Sequence, residues 1–480
     1  MSTSLTSALS NAGNALDVIQ SALSVVQANV SNSSTPGYAT QQLTLEAAPM
    51  DSVSGMGGGV MNGGVQSSAD SYANSAVELQ LQTLGLYTAQ AQATGTLQSF
   101  FDVTGSTGVS SGLTSLFTAF SNWSASPDVA SAQQNVLSAA SAVAASISGL
   151  ASSLQSTSAQ LGQQVSSDVS QINSIAAQIK QYNIERQSSG QADPGSQAQL
   201  QSNLESLSSL VNFTAVTQPD GTVTVLIGNG TPLVMGDQQF SLSSDQTVVN
   251  NPPAANPQSP PTSQILDSQG NDITADITGG QLGGLLDTRN RVLAGIIGDS
   301  QNAGSLNILA KNLADTVNQI MTSGTVSTAP GAANGIALFN YSAADATDAA
   351  ATLEVNPAMT TAQLAPVDAS GNANGNASAL ANLANPAGAT GTINGMSYIE
   401  YFAGIAADVG AENQNAQNNQ QAQQSVTTQA QTLRDSISGV SVNAQAALLL
   451  QFQHAYQAVS QVLQVVNQMA TDILQIVPQQ

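Results

Sequence analysis

The sequence predicts an α+β multidomain fold. N- and C-terminal helices pair as a coiled-coil-like bundle, a long-helix rod domain adjoins them, and β-rich outer domains are inserted in the middle. Three observations predict it: matching heptad seams at the two ends, an apolar helical stripe through residues 127–185, and two later segments where the helical period is lost.

The N-terminal seam runs Leu5, Leu9, Ala12, Leu16, Ile19, Leu23, Val26 and Val30, in alternating steps of four and three. So narrow a stripe packs on one or two partner helices rather than into a globular core. Ser, Asn and Val between the seam positions are mediocre helix formers, and an isolated helix of about 30 such residues is marginal in water. The segment is therefore expected to order against a partner. It ends at "NSSTPGYATQQ" (32–42), where Pro36–Gly37 suits a tight turn: proline fixes φ and glycine permits a positive one. Strand-like "QLTLEA" follows, then "GMGGGVMNGGV" (55–65). That glycine run lacks the terminal Lys-Ser/Thr of a phosphate loop and reads as a flexible extended connection.

Helical pattern resumes around 70–100 and 111–122. "SASPDVA" (124–130) reads as a helix start, with Ser126 as N-cap, Pro127 at the first helical position and Asp128 in the first turn. Behind it Val136, Ala140, Val143, Ile147, Leu150 and Leu154 keep heptad spacing; the seam shifts between Thr157 and Val165 and resumes through Ile172, Ile175, Ile179 and Tyr182. At 1.5 Å per residue this helix is a rod on the order of 85 Å long. "VNFTAVTQPDGTVTVLIG" (211–228) alternates β-formers around Pro219-Asp220-Gly221, a hairpin signal. "NNPPAANPQSPPTSQ" (250–264) is a loop or linker. Helix returns over roughly 281–322, and 324–396 is rich in Gly, Ala, Asn and Thr, an irregular or β-containing insertion. Beyond Gly439 the last helix carries Leu449, Phe452, Tyr456, Val459, Leu463, Val466, Ala470, Ile473 and Val477, again in steps of three and four.

These signals divide the chain into a terminal helix (1–40) that pairs with 440–480, and an extended segment plus rod (41–210, joined by 281–322 and 397–435). A β-rich outer domain (211–280), the insertion (324–396) and the C-terminal helices (397–480) complete it.

Six Lys+Arg stand against 29 Asp+Glu, a net charge of −23, with only 7% charged residues overall. Phosphate backbones and anionic membrane surfaces need clustered cations, so nucleic-acid and membrane partners are not expected. No uninterrupted apolar run reaches the roughly 18 residues of a membrane span. The absence of cysteine excludes disulfides and thiolate chemistry and suits export of an unfolded chain. "MSTSLTSALSNAGNALDVIQ" lacks the basic n-region and apolar core of a cleaved signal peptide. The single histidine, His454, has no nucleophile elbow or acid cluster to serve, and neither catalytic residues, a metal site nor a cofactor site is expected.

The two ends also carry motifs. "ANVSNSSTPGYATQ" (28–41) resembles the N-terminal signature of flagellar rod, hook and hook-associated proteins, and "SGVSVNAQAALLLQFQHAYQAVSQVLQVVNQMATDIL" (438–474) resembles their C-terminal one. "SLFTAFSNWSASPDVASAQQNVLSAASAVAASI" (115–147), "IAAQIKQYNIE" (175–185), "GGQLGGLLDTRNRVLAGI" (279–296) and "LNILAKNLADTVNQI" (306–320) are similar to the hook-associated protein 1 family, which forms the first junction zone between hook and filament. The chain departs from that pattern where relatives carry charge: at Ala39-Thr40, at Ser67, in "QLQSNLESL" (199–207), which has no basic residue, and at Ser441–Gln445. Contacts between subunits are therefore expected to rest on packing and amide hydrogen bonds.

The resemblance implies a structural, non-enzymatic role outside the cell in the bacterial flagellum, after export through the flagellar type III channel without a cleaved signal. Its implied partners are further copies of the chain, the flagellar hook protein, the second junction protein (hook-associated protein 3) and a cytoplasmic export chaperone on the C-terminal helix. It assigns the assembly interface to Leu5, Leu9, Leu16, Ile19, Leu23, Val26, Val30, Leu449, Phe452, Tyr456, Val459, Leu463, Val466 and Ile473. Thr35, Pro36, Gly37 and Tyr38 form the turn that leads the chain out of it. The rival readings are another axial protein, hook or distal rod; a coiled-coil surface adhesin; and, third, an enzyme carried in the outer domains.

Overall fold

Heptad spacing at the two ends produces two long helices that lie against each other, α1 (Ser2–Ser31) and α11 (Val442–Ile476). The computed structural model describes residues 2–35, 37–49, 58–101, 107–189, 194–246, 262–299, 302–342 and 347–476. After α1 the chain enters β1 (Gln41–Ala47), paired antiparallel with β2 (Val60–Ser67), Gln41 opposite Ser67 and Ala47 opposite Val60. Both strands pack on α1. The described part of the glycine-rich stretch is thus a strand, not the extended connection expected from its composition. Val60, Met61 and Val65 supply its β-formers, and Gly64, at φ +100°, lies within the register shift opposite Leu43–Leu45.

The rod begins with α2 (Ser71–Gln98), whose first turn is capped by Asp70 accepting from the Ala73 N–H at 2.9 Å. Next come α3 (Gly108–Ala125), α4 (Ala130–Ser189) and α5 (Pro194–Leu210). The start expected at Ser126–Pro127 is displaced to Ala130. The Pro127 carbonyl accepts from Trp123 Nε1 (3.2 Å) and Gln133 Nε2 (2.9 Å), so Ser126–Asp128 make the corner between α3 and α4 instead. Trp123 is fully buried and holds that corner in place.

With 60 residues, α4 is about 90 Å long. By length and composition it is apolar enough to cross a membrane, but its Val136, Ala140, Val143, Ile147, Leu154, Ile172 and Ile179 are fully buried in the core. Toward its end the buried positions are Ala176 and Asn183 rather than Ile175 and Tyr182, which are half-buried.

After α5, β3 (Phe213–Thr217), β4 (Val223–Ile227), β5 (Thr231–Met235) and β6 (Gln238–Gln239) form an antiparallel sheet in that order, its apolar side chains continuous with the core around α4. The β3–β4 hairpin closes at Gly221, φ +82°, where Pro219-Asp220-Gly221 predicted it. A second pair, β7 (Ser243–Asp245) and β8 (Gln264–Leu266), flanks the proline-rich segment, whose residues 247–261 lie outside the described ones. Then α6 (Gly280–Asp287), a π-helical turn Thr288–Leu293, and α7 (Ala294–Ile297) return to the core, followed by α8 (Ser305–Thr322). The insertion holds β9 (Phe339–Asn340), β10 (Glu354–Val355), α9 (Gly375–Asn382), β11 (Thr392–Ile393) and β12 (Met396–Ser397). Finally α10 (Tyr398–Ser438) runs back along α2, antiparallel, with Asn413 near Thr94 and Gln423 bonded to Gln80.

Layers are tied by asparagine side chains. On α4, Asn173 pairs with both backbone groups of Leu242 (2.8 and 2.9 Å) and Asn183 with both of Val223 (2.8 Å each). Asn290 does the same to Ser263 and Asn318 to Phe339. Each amide offers one donor and one acceptor to an extended residue, as a neighbouring strand would.

One carboxylate is stranded inside. Asp168 of α4 is 2% exposed, accepts only a long bond from Gln281 Nε2 on one oxygen (3.4 Å), and has no partner on the other. Burial pushes its pKa from 3.8 up to about 7. A carboxylate whose folded pKa is raised favours folding at low pH, and that contribution is lost as pH rises from about 4 through 7. Asp168→Asn is therefore expected to raise the melting temperature at pH 8 and to flatten the slope of stability between pH 5 and 8. Thermal melts of both forms across that range check it; parallel slopes would contradict it.

Candidate functional site

The terminal helix pair and the joint below it hold the residues the sequence singled out. Along α1 the buried line is Ala12, Val18, Ala22, Val26 and Asn29. Of the predicted seam, Val26 lies on that line, Leu5, Leu16, Ile19 and Leu23 are half-buried beside it, and Leu9 and Val30 are exposed. A straight helix drifts about 20° per heptad relative to a 3.5-residue repeat, so the line of contact crosses the stripe instead of following it. Along α11 Val466 is buried and Leu449, Phe452, Val459 and Leu463 are half-buried, while Tyr456 is exposed. The side chain of Ile473 lies outside the described residues. Val462, Val465 and Met469 form a second, exposed apolar face of α11, and His454 is exposed as well.

Asn29 is the knot of this unit, and it is 1% exposed. Its Nδ2 donates to the Gln41 carbonyl (2.9 Å) and to Gln445 Oε1 on α11 (3.1 Å). Its Oδ1 accepts from the Gln41 N–H (2.9 Å) and from the Tyr38 hydroxyl (3.0 Å). Both donors and both lone pairs are thus satisfied, and α1, the turn, β1 and α11 meet in one amide. Burial pushes the Tyr38 hydroxyl pKa up. The seam pattern gave no sign of Asn29 or Gln445, because both are polar residues beside the apolar stripe.

In the turn, the Tyr38 N–H returns to the Thr35 carbonyl (3.2 Å), and Gly37 sits at φ +75°. Pro36 lies outside the described residues. A Cβ on Gly37 would stand 3.0 Å from the Ala198 carbonyl oxygen, so the turn is pressed onto α5 and the backbone can come that close only without a side chain. Thr40 then fastens to the α10–α11 link: its N–H donates to the Ser438 carbonyl and its hydroxyl to that of Gly439, both at 2.8 Å. The Asp70 N–H donates to Ser438 Oγ (3.3 Å). Between turn and link lies an open cleft of about 590 Å³, lined by Thr35, Tyr38, Asn74, Arg434 and Ser441 among others.

Arg434 of α10 forms an ion pair with Glu205 of α5, both side chains largely shielded from water. Nearby Glu78 is buried, which raises its pKa; the Gln201 amide on its Oε1 (3.1 Å) opposes the rise and Glu205 adds to it. Among the described residues no group of three or more His, Cys, Asp or Glu stands together as a metal site. The arrangement is a mechanical joint between a two-helix unit and a rod.

Asn29→Asp tests the knot. The change is nearly isosteric but removes both donors and sets a carboxylate against the Gln41 carbonyl, a cost of about 3 kcal/mol. The β1–β2 hairpin is expected to become the first site cut by subtilisin, several-fold faster than in the parent chain; equal cleavage rates would contradict the role given to Asn29.

Comparison with known proteins places this architecture. Residues 94–339, just over half of the chain, match the family described as flagellar hook-associated protein FlgK helical domain, and residues 429–476 match the flagellar basal body rod FlgEFG protein C-terminal family. The chain is 24% identical to flagellar hook-associated protein 1 of Bacillus subtilis (strain 168) over an alignment 505 positions long, covering 97% of each. The structure of the flagellar hook junction protein FlgK from Burkholderia pseudomallei superposes with a TM-score of 0.61 at 17% identity, over 76% of this chain and all of that one, which bears on the fold. The chain belongs to the flagellar hook-associated protein FlgK family.

Proposed function

We propose that the protein is a structural component of the flagellum that forms the junction between hook and filament and lets the filament assemble on the hook. The observation that carries this is the terminal unit. Its helices pair, yet Leu9 and Val30 on α1 and Tyr456, Val462, Val465 and Met469 on α11 stay exposed, so one chain leaves its seams unfinished. Each Leu, Ile or Val taken from water contributes roughly 1.5–3 kcal/mol, and a neighbouring subunit supplies the missing cover. In this reading the predicted seam residues are the assembly interface, the turn at Thr35–Tyr38 leads the chain out of an inner tube, and the β-bearing segments face outward. The partners are further copies of the chain, the hook protein, the second junction protein, and a chaperone that holds α11 before export.

Family membership supports a structural rather than catalytic role. The C-terminal match, a family named for rod proteins, favours one second reading, another axial component such as hook or distal rod. Deleting the gene in its host separates the two. Hooks without filaments, with flagellin shed into the medium, are the expected outcome. Missing hooks would move the protein to the rod or hook, and normal filaments with normal swimming would refute the flagellar role.

A further inference from the structure

The stranded carboxyl of Asp168 stands at the inner end of a cleft. A space of about 440 Å³ lies between α2, α4 and α6, lined by Gln92, Thr96, Thr157, Gln160, Gln164 and Gln281 with alanine and leucine among them. Along α4 the lining residues Thr157, Leu161 and Gln164 follow in steps of four and three, and Asp168, four residues on, is the next position of the same helix row. Gln281 belongs to both places, since it lines the cleft and its Nε2 reaches Asp168 Oδ1. The side chains pass from exposed Gln92, Thr96, Gln160 and Gln164, through half-buried Gln281, to buried Asp168. At 3.4 Å the bond from Gln281 is weak, and Asp168 Oδ2 has no partner.

A buried carboxylate is ordinarily paired with a cation or coordinates one. The elements around Asp168 offer it no cation. Glu78 of α2 is held by Gln201, Glu205 of α5 by Arg434, and Asp287 of α6 by Arg291. Arg289 of the π-helical turn is taken up by Ser158, Gln246 and Ser263. Lys180, Glu185 and Arg186 lie about 18 Å or more further along α4. None of these, nor Asp237 and Asp245 beside the outer sheet, bears on the titration of Asp168, which burial alone shifts. The cleft supplies neutral oxygens instead. Half a turn about its last bond lets the Gln281 amide present Oε1 where Nε2 now stands, and Gln164 is one helical turn from Asp168. One carboxylate among neutral amide oxygens balances a single positive charge, whereas a divalent ion is selected by a higher ligand charge. We propose that the inner end of this cleft binds a monovalent metal cation, sodium or potassium, held by Asp168 with the amide oxygens of Gln281 and Gln164. The ion replaces the missing countercharge and ties α6 to α4 within the core.

Thermal melts of the full purified chain test the site. Sodium, potassium and tetramethylammonium chloride are compared at equal ionic strength, at pH 5 and pH 8, with magnesium chloride as a further arm. Tetramethylammonium screens charge as the others do but is too large to sit beside a buried carboxylate. Sodium or potassium is expected to raise the melting temperature over tetramethylammonium by about 2 °C at pH 8. No rise is expected at pH 5, where Asp168 keeps its proton. The gain is expected to vanish in Asp168→Asn and in Gln281→Ala, the second of which leaves α4 untouched. Equal melting temperatures in the three monovalent salts at pH 8, or a gain that persists in Asp168→Asn, would overturn the proposal and leave only a general salt effect. A gain from magnesium alone would overturn the choice of a monovalent ion, and a gain that persists in Gln281→Ala would overturn the place given to Gln281.

Discussion

Much of this structure depends on the side-chain amide. With six cations in 480 residues the chain has few ion pairs to spend on joining its layers. Asparagines on helices pair instead with both backbone groups of an extended residue: Asn29 with Gln41, Asn173 with Leu242, Asn183 with Val223, Asn290 with Ser263 and Asn318 with Phe339. Each clamp satisfies backbone groups that packing alone would leave buried and unpaired, at a cost of about 1–3 kcal/mol apiece. Being neutral, the clamps are indifferent to salt and to most of the pH range. Asn183 also donates to the Gly236 carbonyl, so one residue near the end of the long helix holds both β4 and the β5–β6 turn.

Three basic residues, Arg289, Arg291 and Arg434, make joins of their own. Arg289, in the π-helical turn, is buried and reaches the Ser158 carbonyl (2.9 Å), Gln246 (2.6 Å) and Ser263. It therefore fixes both stems of the proline-rich segment to α4. The extra residue of a π turn lets Arg289 face inward while Arg291 faces out to Asp287 and Glu412 (2.6 and 2.7 Å). Arg434 joins α5 to α10 beside the turn. These contacts join α4, α5, α6 and α10 within one chain.

Periodicity made the helices legible: the stripe through Val136–Leu154 and the seams of α1 and α11 are read directly from spacing, as is the hairpin at Pro219–Gly221. Three things were hidden. The β1–β2 hairpin was masked by glycines, whose conformational freedom looks the same in a linker and in an irregular strand. The corner at Ser126–Asp128 mimics an N-cap, and only the burial of Trp123 decides against it. Asn29, Gln445 and the bases of the clamps carry no periodic signal, since a polar residue beside an apolar stripe looks solvent-facing until its partner strand is placed. The same limit applies to the seams. The sequence shows which residues are apolar, and the fold shows that α11 and the hairpin cover only part of them.

The central claim is that the buried core around α4 is complete in a single chain while the terminal helices are completed by neighbours. Amide hydrogen exchange, compared between the free chain and intact assembled flagella, tests it most directly. The account predicts that α4 is strongly protected in both states, whereas α1 and α11 exchange rapidly in the free chain and slowly once assembled. Equal protection of α1 and α11 in the two states would show that one chain already finishes its own seams, and the account would fall.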